Sequence, residues 1–458
     1  MFPWFAMGHI TPYLLLSNKL AERGNKISFF IPAKTQAKFN HFNIHPHLIN
    51  FIPLTISQIN GLPLDAETVA DVPDMKNKTY LIAQALDLTQ EQVQNALEKL
   101  KPDFIFYDFP YWVPTIAKPL GIKSIYFCPS GALPNVSLVP SMMKILEKGR
   151  DQCTDQELHQ LTKIPEIYPG SSTVKPPSYE RKGASFALTS FDDSISMVKR
   201  LFIAMKESDA LCFRACYETE STYAEFLENQ YDKQVLLTGP LLPKLSSNIP
   251  LLEERWSKWL DSFEKRSVVY CAFGSECVLE KEPFQELVLG LEKTGLPFLV
   301  RLRPPIGIDT VEEALPEGFE ERVRGRGVVH GGWIQQQLIL NHPSVGCFVG
   351  HCGSGSMWES LVSTCQLVLV PHFADQFINT KFMTKRLKVA VDVDRREEDG
   401  WFTREDVCKA VKLVMDEGSV VGEEIRANHH KLSQLFLGEG FETSYINNFI
   451  LKLHDLLV

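Results

Sequence analysis

The sequence lacks the features that mark membrane, secreted and nucleic-acid-binding proteins. None of its apolar runs approaches the length of about 20 residues that spans a bilayer. Its first residues contain no charged segment followed by a long apolar one, so no secretory signal is predicted. The formal net charge is −9, and the sequence contains no block of basic residues that could bind nucleic acid locally. Nucleic acid is therefore not expected as a partner.

The ten cysteines are scattered, with no C-x-x-C pair and no spacing typical of a zinc site. Cys212 and Cys216 are one helical turn apart, and we interpret them as two small half-buried side chains. Reduced thiols are typical of the cytosol, so a cytoplasmic protein is predicted. The 458 residues contain no internal repeats and are enough for two domains with separate cores.

Strand-like and helix-like segments alternate in both halves of the chain. In the first half, a helix at 13–23 precedes a strand at 26–32, and strands at 104–107 and 124–128 flank a helix at 113–120. The second half contains six strand-like runs, among them 298–302 and 327–330, with helices between them. A further helix is predicted at 403–416, with Thr403 as its N-cap and Asp406 in its first turn. This spacing favours parallel sheets. The predicted fold class is α/β, with two doubly wound Rossmann-like domains facing a cleft. A Pro- and Ser-containing linker at 241–250 separates them.

One stretch, residues 333–376, combines the elements of a binding pocket. An apolar run at 345–349 leads to a Gly/Ser turn at 353–356 that opens a helix-like segment. Such a turn places unpaired backbone N–H groups beside positive partial charge, which suits a phosphate. His351 and Ser356 can donate further hydrogen bonds to the same oxygens.

Other side chains in this stretch suit the remaining parts of a nucleotide sugar. Trp333 offers a flat face for a base, and Glu359 can accept hydrogen bonds from ribose hydroxyls. Asp375 and Gln376 offer acceptors and a donor for a ring of hydroxyls. The stretch therefore predicts a site for a nucleotide joined to a sugar.

Residues 333–376 resemble the 44-residue signature box of plant family 1 UDP-glycosyltransferases, which runs from a Trp to a Gln. Three other segments resemble motifs of that family in the expected order. They are the catalytic-histidine loop at 7–12, the aspartate-bearing strand at 101–108, and the strand and loop at 269–275 that open its donor domain. Residues 351–359 read His-Cys-Gly-x-Gly-Ser-Met-Trp-Glu. This pattern is similar to that of the family branch whose enzymes add a sugar to a sugar already on a flavonoid or anthocyanin.

The resemblance implies a GT-B type fold with an acceptor-binding domain at 1–240 and a UDP-sugar donor domain at 251–440. It also implies that a terminal helix, about residues 441–458, packs back on the first domain. His9 is implied as the catalytic base and Asp108 as its supporting carboxylate. The implied donor-binding residues are Ser275, Trp333, Ile334, Gln336, His351, Gly353, Ser354, Gly355, Ser356, Glu359, Asp375 and Gln376.

The chemistry of His9 and Asp108 agrees with these roles. Imidazole titrates near working pH, and a placed general base accelerates a reaction by roughly 10²- to 10⁴-fold. Gly8 and Pro12 predict a tight strand-to-helix loop around His9, and a histidine that caps the following helix is the alternative. Asp108 follows an apolar strand, where a carboxylate can hold the imidazole in one tautomer. A solvated turn aspartate is the alternative there.

No metal or cofactor is predicted, because His351, Ser275 and the amides at 353–356 can surround a diphosphate, as the resemblance implies. The D-x-D pattern at 392–394 is interpreted as a solvated strand end rather than a metal site. Two histidine pairs without a third ligand nearby are interpreted as surface residues: His45 with His47, and His429 with His430.

Three departures from the family pattern bear on activity. Ser354 and Gly355 stand where the family commonly has Trp and Asn, and Gly355 lets a ligand approach the backbone closely. Phe373 replaces a Trp, so it can stack but cannot donate a hydrogen bond. The chain begins part-way along the family's first strand, and a lost half-strand would weaken the support beneath His9.

The predicted function is inverting, metal-independent transfer of a sugar from a UDP-sugar to a sugar hydroxyl of a flavonoid or anthocyanin 3-O-glycoside. Gln376 resembles glucose-using members, so UDP-glucose is favoured, with UDP-xylose and UDP-rhamnose as alternatives. An aglycone or terpenoid acceptor is a further alternative. Phe109, Trp112 and Ser130 are predicted acceptor contacts, and the protein is predicted to be a monomer.

Two alternatives belong to other classes of function. A non-catalytic nucleotide-sugar binder is motivated by the short first strand and by Ser354. A nicotinamide-dependent dehydrogenase is disfavoured, because no G-x-G-x-x-G motif follows the first strand.

Overall fold

The computed structural model describes residues 1–72, 75–149, 154, 157, 177–180, 195–242, 251–373 and 375–458. The chain divides into two compact units. The first comprises Met1–Thr173, Ala184–Pro243 and Glu439–Val458, and the second comprises Val174–Gly183 and Lys244–Gly438. Most of the predicted linker, residues 243–250, lies outside the described residues.

The strands are β1 (Ile27–Pro32), β2 (Ile49–Leu54), β3 (Phe104–Tyr107), β4 (Lys123–Cys128), β5 (Ala210–Phe213), β6 (Val235–Leu237), β7 (Val268–Ala272), β8 (Phe298–Arg301), β9 (Gly327–His330), β10 (Val345–Gly350), β11 (Gln366–Leu369) and β12 (Ala390–Asp392). The α-helices are α1 (Met7–Ala21), α2 (Gln36–Phe39), α3 (Met75–Asp87), α4 (Gln90–Leu100), α5 (Val113–Ala117), α6 (Leu133–Lys148), α7 (Met197–Glu207), α8 (Tyr217–Tyr231), α9 (Glu254–Asp261), α10 (Lys281–Thr294), α11 (Val311–Ala314), α12 (Phe319–Arg322), α13 (Gln336–Leu340), α14 (Ser354–Leu361), α15 (Gln376–Lys381), α16 (Arg404–Met415), α17 (Val420–Phe436) and α18 (Phe441–Asp455). Helix α15 continues into a π-helical turn, Phe382–Arg386.

The first unit contains two parallel sheets, β1–β2 and β3–β4–β5–β6, joined by the first residues of the chain. The Phe2 amide donates to the Phe106 carbonyl at 2.7 Å, and the Phe30 amide donates to the Met1 carbonyl at 2.9 Å. Met1 and Phe2 therefore lie between β1 and β3, with β1 and β2 on one side of them and β3 to β6 on the other. Ligands bind at such a switch point in doubly wound sheets.

The second unit contains one parallel sheet in the order β12-β11-β10-β7-β8-β9. Its first strand, β7, is central, and the strand order reverses between β7 and β10. Both of these strands are buried along their whole length, as expected for a sheet covered by helices on both faces. The two units confirm the predicted class, α/β with two doubly wound domains.

Helix α18 packs in the first unit. The Phe449 ring contacts Phe106 with 6.1 Å between centroids. The Tyr445 hydroxyl accepts from the Tyr217 amide at 2.6 Å and donates to Glu218 at 2.5 Å. Among the described residues, no helix has the length and apolar character needed to cross a membrane.

The predicted loop around His9 is wrong, because residues 7–21 form one helix that includes Pro12. Proline removes one backbone donor, which is costly in a helix interior. Ile10, Tyr13 and Leu14 are almost fully buried on the same helix, and their packing outweighs that local cost.

Some side-chain interpretations were confirmed and others were wrong. Thr403 caps α16 through a reciprocal pair of bonds with Asp406, as the sequence indicated. His429 is not a surface residue, since it is 3% exposed and its Nε2 lies 3.1 Å from the Ser360 carbonyl. Burial lowers the pKa of His429. Cys212 and Cys216 are fully buried rather than half-buried.

Candidate functional site

His9 and Asp108 meet at the switch point of the first unit. His9 lies in the first turn of α1, and its Nδ1 is 2.7 Å from Asp108 Oδ2. Asp108 directly follows β3 and is 1% exposed, so it is not a solvated turn residue. Its Oδ1 accepts hydrogen bonds from the amides of Trp4 and Phe109, both at 2.7 Å. Asp108 is thus tied to the backbone on one side and to the imidazole on the other.

This geometry sets the tautomer of His9. A carboxylate can only accept, so Nδ1 carries the proton and Nε2 is left as a proton acceptor. The edge of Phe109 lies against the imidazole, with 5.6 Å between centroids, and the side chain remains 24% exposed. His9 does not cap its helix, because the N-cap is Ala6. The arrangement can remove a proton from a hydroxyl group.

The predicted acceptor contacts differ in their surroundings. Trp112 is 6% exposed, and its Nε1 donates to Asp87 at 3.1 Å, so it is a core residue. Asp87 also pairs with the buried Arg200 at 2.5 Å. Phe109 lies beside His9, whereas Ser130 has its hydroxyl 3.3 Å from the thiol of Cys128. Of these three predicted residues, Phe109 is the one whose contact with the His9–Asp108 pair the structure shows.

His351 lies at the switch point of the second unit, immediately after β10. Its ring packs on two glycines: a Cβ at Gly274 would lie 3.0 Å from its Cε1, and a Cβ at Gly353 would lie 2.5 Å from its Nε2. Nδ1 has no hydrogen-bond partner among the described residues. Burial lowers the pKa of His351 to about 4, so the imidazole is neutral at pH 7 and its N–H can donate without carrying charge.

Helix α14 begins beside this histidine. Gly353 is the N-cap, and the first intrahelical bond runs from the Met357 amide to the Gly353 carbonyl at 2.9 Å. The amides of residues 354–356 precede that bond, at the positive end of the helix. A Cβ at Gly355 would meet nothing within 4 Å, so the space in front of this turn is open. The helix starts at Ser354, within the stretch 353–356 that was predicted to be a turn before the helix.

A hydrogen-bond network connects α13 to α14. Gln336 Nε2 donates to Ser356 Oγ at 3.2 Å and to Glu359 Oε2 at 2.6 Å. Tyr270 donates its hydroxyl proton to Gln336 Oε1 at 3.3 Å. The structure therefore brings together three of the predicted donor-binding residues. Nearby, Ile334 is buried at 3% exposure while Trp333 is 66% exposed.

Asp375 and Gln376 form the start of α15. Asp375 Oδ2 accepts from Asn379 Nδ2 at 3.1 Å, and the same amide donates to the Cys352 carbonyl at 3.2 Å. Gln376 Oε1 accepts from the His372 amide at 2.9 Å. The Gln376 oxygen thus holds the preceding loop. Asn379 was missed in the sequence, although its spacing of four residues from Asp375 on a helix was a usable signal.

Ser275 lies in the loop after β7, and the sequence did not indicate the arginines that hold this loop. Arg301 donates to the carbonyl of Gly274, and Arg303 donates to that of Ser275 at 3.3 Å. Arg301 is the last residue of β8 and Arg303 lies two residues beyond it, at the carboxyl edge of the sheet. That position was the signal that could have identified them.

The D-x-D pattern is not part of this site. Asp392 and Asp394 are exposed, and Asp394 pairs with Lys409 at 2.7 Å, which confirms the interpretation as a solvated strand end. Within the described residues, no group of three or more His, Cys, Asp or Glu side chains could hold a metal ion.

The chain matches a family model and full-length relatives. The family model for "UDP-glucoronosyl and UDP-glucosyl transferase" matches residues 196–436. The chain is 50% identical to a cyanidin 3-O-galactoside 2''-O-xylosyltransferase of Actinidia chinensis var. chinensis, over all of this chain and 98% of that protein. It is 45% identical to an anthocyanidin 3-O-glucoside 2''-O-glucosyltransferase of Ipomoea nil, over all of this chain and 97% of that protein.

Solved structures show the same fold. The glycosyltransferase of Glycyrrhiza uralensis in complex with glycyrrhetinic acid 3-O-monoglucuronide has a TM-score of 0.80 at 24% identity, over 99% of this chain and 95% of that one. An indoxyl-glucosylating UDP-glucosyltransferase of Polygonum tinctorium has a TM-score of 0.78 at 23% identity, over 99% and 98% of the two chains. With the family match and the full-length relatives, these findings show that the chain belongs to the UDP-glycosyltransferase family and is an enzyme of that family.

Proposed function

We propose that this enzyme transfers a sugar from a UDP-sugar to a sugar hydroxyl of a flavonoid or anthocyanin 3-O-glycoside, with inversion and without a metal ion. The observation that carries the catalytic part is the 2.7 Å contact between His9 Nδ1 and the buried Asp108. The acceptor class is supported by relatives at 45–50% identity whose names specify anthocyanidin or cyanidin 3-O-glycosides.

In the proposed reaction, the acceptor hydroxyl oxygen attacks the anomeric carbon as His9 Nε2 takes its proton. The bond from that carbon to the diphosphate oxygen breaks, and its electron pair leaves with UDP. Asp108 stabilises the imidazolium that forms, without itself taking a proton. A single displacement inverts the anomeric centre, and its transition state resembles an oxocarbenium ion.

The second unit provides the groups that would hold the donor. We assign the diphosphate to His351, the amides of residues 354–356 and Ser275, where neutral donors and the helix dipole balance its charge. Glu359 is assigned to the ribose hydroxyls and Trp333 to the base. Asp375 and Gln376 are assigned to the sugar.

Two UDP-sugars are candidates for the donor. Gln376 favours UDP-glucose, because it resembles the closing residue of glucose-using family members. UDP-xylose is the second candidate, since the relatives at 50% and 48% identity are named xylosyltransferases and the glucosyltransferase is at 45%. A pentose lacks the sixth carbon and its hydroxyl, so the two donors differ at a single polar group.

The test is a turnover screen that measures the mass of the products. UDP-glucose, UDP-xylose and UDP-rhamnose are each offered with kaempferol, kaempferol 3-O-glucoside and cyanidin 3-O-glucoside. Product from the glucosides only supports sugar-on-sugar transfer and identifies the donor. Product from kaempferol alone would contradict the acceptor assignment. If the protein bound UDP but none of the donor–acceptor pairs gave product, a non-catalytic binder would be favoured.

The metal-free assignment has its own test. EDTA should change neither turnover nor UDP affinity, because the proposed diphosphate site uses protein donors only. His351→Ala should weaken UDP binding and abolish transfer. Strong inhibition by EDTA that Mg²⁺ reverses would contradict the assignment.

A further inference from the structure

The carboxylate of Glu359 is held at both oxygens by two consecutive glutamines. Gln336 Nε2 donates to Oε2 at 2.6 Å, and Gln337 Nε2 donates to Oε1 at 3.0 Å. Both glutamines come from the first turn of α13, while Glu359 lies on α14. Two donors on two oxygens fix the plane of the carboxylate as well as its position.

The two glutamines differ in what else they do. Gln336 also contacts Ser356 and Tyr270, so its loss would disturb several groups at once. The side chain of Gln337 bonds only to Glu359 within the described part of the chain, and it is half-buried. Its removal is therefore a specific perturbation of the carboxylate.

The held carboxylate retains the capacity to bind a ligand. Each carboxylate oxygen accepts about two hydrogen bonds, so the glutamines leave roughly one acceptor position free on each oxygen. Two adjacent acceptors match the two vicinal hydroxyls of a ribose, each of which can donate one proton. A free glutamate side chain would have to lose rotational freedom on binding, whereas a held one has already lost it.

We propose that Gln337 is a positioning residue that presents both oxygens of Glu359 to the 2′- and 3′-hydroxyls of the UDP ribose. The inference rests on the proposed donor site, since it deepens the assignment of Glu359. In this proposal Gln337 contacts no substrate atom, and it affects nucleotide affinity through Glu359.

The experiment measures the dissociation constants of UDP and of 2′,3′-dideoxy-UDP by calorimetry. Gln337→Met keeps a straight side chain but removes the donor. We expect it to weaken UDP binding by about fivefold to tenfold, the size of one net hydrogen bond, and to leave the affinity for 2′,3′-dideoxy-UDP unchanged. The KM for the UDP-sugar should rise by a similar factor while kcat changes little.

Gln335→Met is the matched control. Gln335 is the neighbouring glutamine, and it bonds to the backbone of Leu251 and Glu253 instead of Glu359. Its replacement should leave the preference for UDP over 2′,3′-dideoxy-UDP as in wild type. Thermal unfolding of both variants reports whether either loses stability.

Three results would overturn the inference, and they are distinguishable. Equal weakening of both ligands by Gln337→Met would indicate a merely structural role. If Gln337→Met kept the preference for UDP over 2′,3′-dideoxy-UDP and Glu359→Ala lost it, Glu359 would bind the ribose without help from Gln337. Equal binding of both ligands by wild type would remove the ribose assignment of Glu359 itself, while the turnover screen would still decide the transferase proposal.

Discussion

Asp108 divides two tasks between its two oxygens. Oδ1 accepts from two backbone amides and so supports the fold, while Oδ2 faces His9. An asparagine can keep the first set of bonds through its own oxygen. Its amide would then present a donor to His9 Nδ1, which would shift the imidazole proton to Nε2 and leave no base.

Asp108→Asn should therefore lower kcat by roughly 10²- to 10⁴-fold with little loss of stability. His9→Ala should lower kcat within the same range, because it removes the base directly. Initial rates at saturating donor and acceptor, with thermal unfolding as the control, check both. Activity within about twofold of wild type in His9→Ala would contradict the assigned base.

His351 links the donor site to the pH dependence of stability. Its pKa in the folded protein is lowered to about 4 from an ordinary value of 6.5. Between these values the unfolded chain binds a proton that the folded chain does not. The free energy of unfolding therefore falls as the pH drops from 6.5 towards 4.

His351→Gln removes this contribution. Wild type should lose up to about 3 kcal/mol more than the variant as the pH falls through this window, as measured by urea unfolding at several pH values. Some pH dependence should remain in the variant, because burial also lowers the pKa of His429 in the same unit. Parallel pH profiles for the two proteins would contradict the prediction.

At the scale of secondary-structure elements, two glycines in helices occupy opposite environments. A Cβ at Gly290 on α10 would lie 2.6 Å from the Cβ of Val407 on α16, so the two helices approach closely at that point. A Cβ at Gly355 on α14 would meet nothing within 4 Å. The same substitution should consequently have opposite effects at the two positions.

Gly290→Ala should lower the free energy of unfolding by about 1–3 kcal/mol through overpacking. Gly355→Ala should leave it unchanged or raise it by up to about 1 kcal/mol through helix propensity. Gly355→Ala should nevertheless weaken UDP binding, since its methyl group enters the proposed phosphate space. Chemical unfolding and calorimetry measure the two effects, and equal destabilisation by both variants would contradict the argument.

At the scale of the whole molecule, each unit has its own hydrophobic core. Phe449 on the C-terminal helix belongs to the core of the first unit, together with Phe106 and Ile446. Phe284 belongs to the core of the second unit. The last helix of the chain thus completes the unit that contains the first residues.

Phe449→Ala and Phe284→Ala form a reciprocal pair of tests. Each should destabilise its own unit by about 3–5 kcal/mol, because a buried phenyl ring leaves a cavity. Hydrogen exchange should then accelerate in the first unit for Phe449→Ala and in the second unit for Phe284→Ala. Uniform acceleration along the chain in either variant would indicate that the units unfold as one.

Local patterns in the sequence predicted much of the fold. The apolar runs at 104–107 and 327–330 match β3 and β9, and Thr403 with Asp406 marked the start of α16. These features depend on neighbouring residues only, through side-chain periodicity and capping. The helical conformation of Gly8 to Pro12 could not be predicted in the same way, because it depends on burial against the rest of the first unit.

The sequence by itself determined the residue types of the candidate site and their order along the chain. The tertiary structure alone decided their pairing: His9 lies 2.7 Å from Asp108 across 99 residues, and Glu359 meets both glutamines of α13. It also decided that Trp112 is a core residue and that Gln376 uses its oxygen to hold a loop. The physical reason is that strand order brings distant strand ends to one edge of a sheet, and the sequence does not state that order.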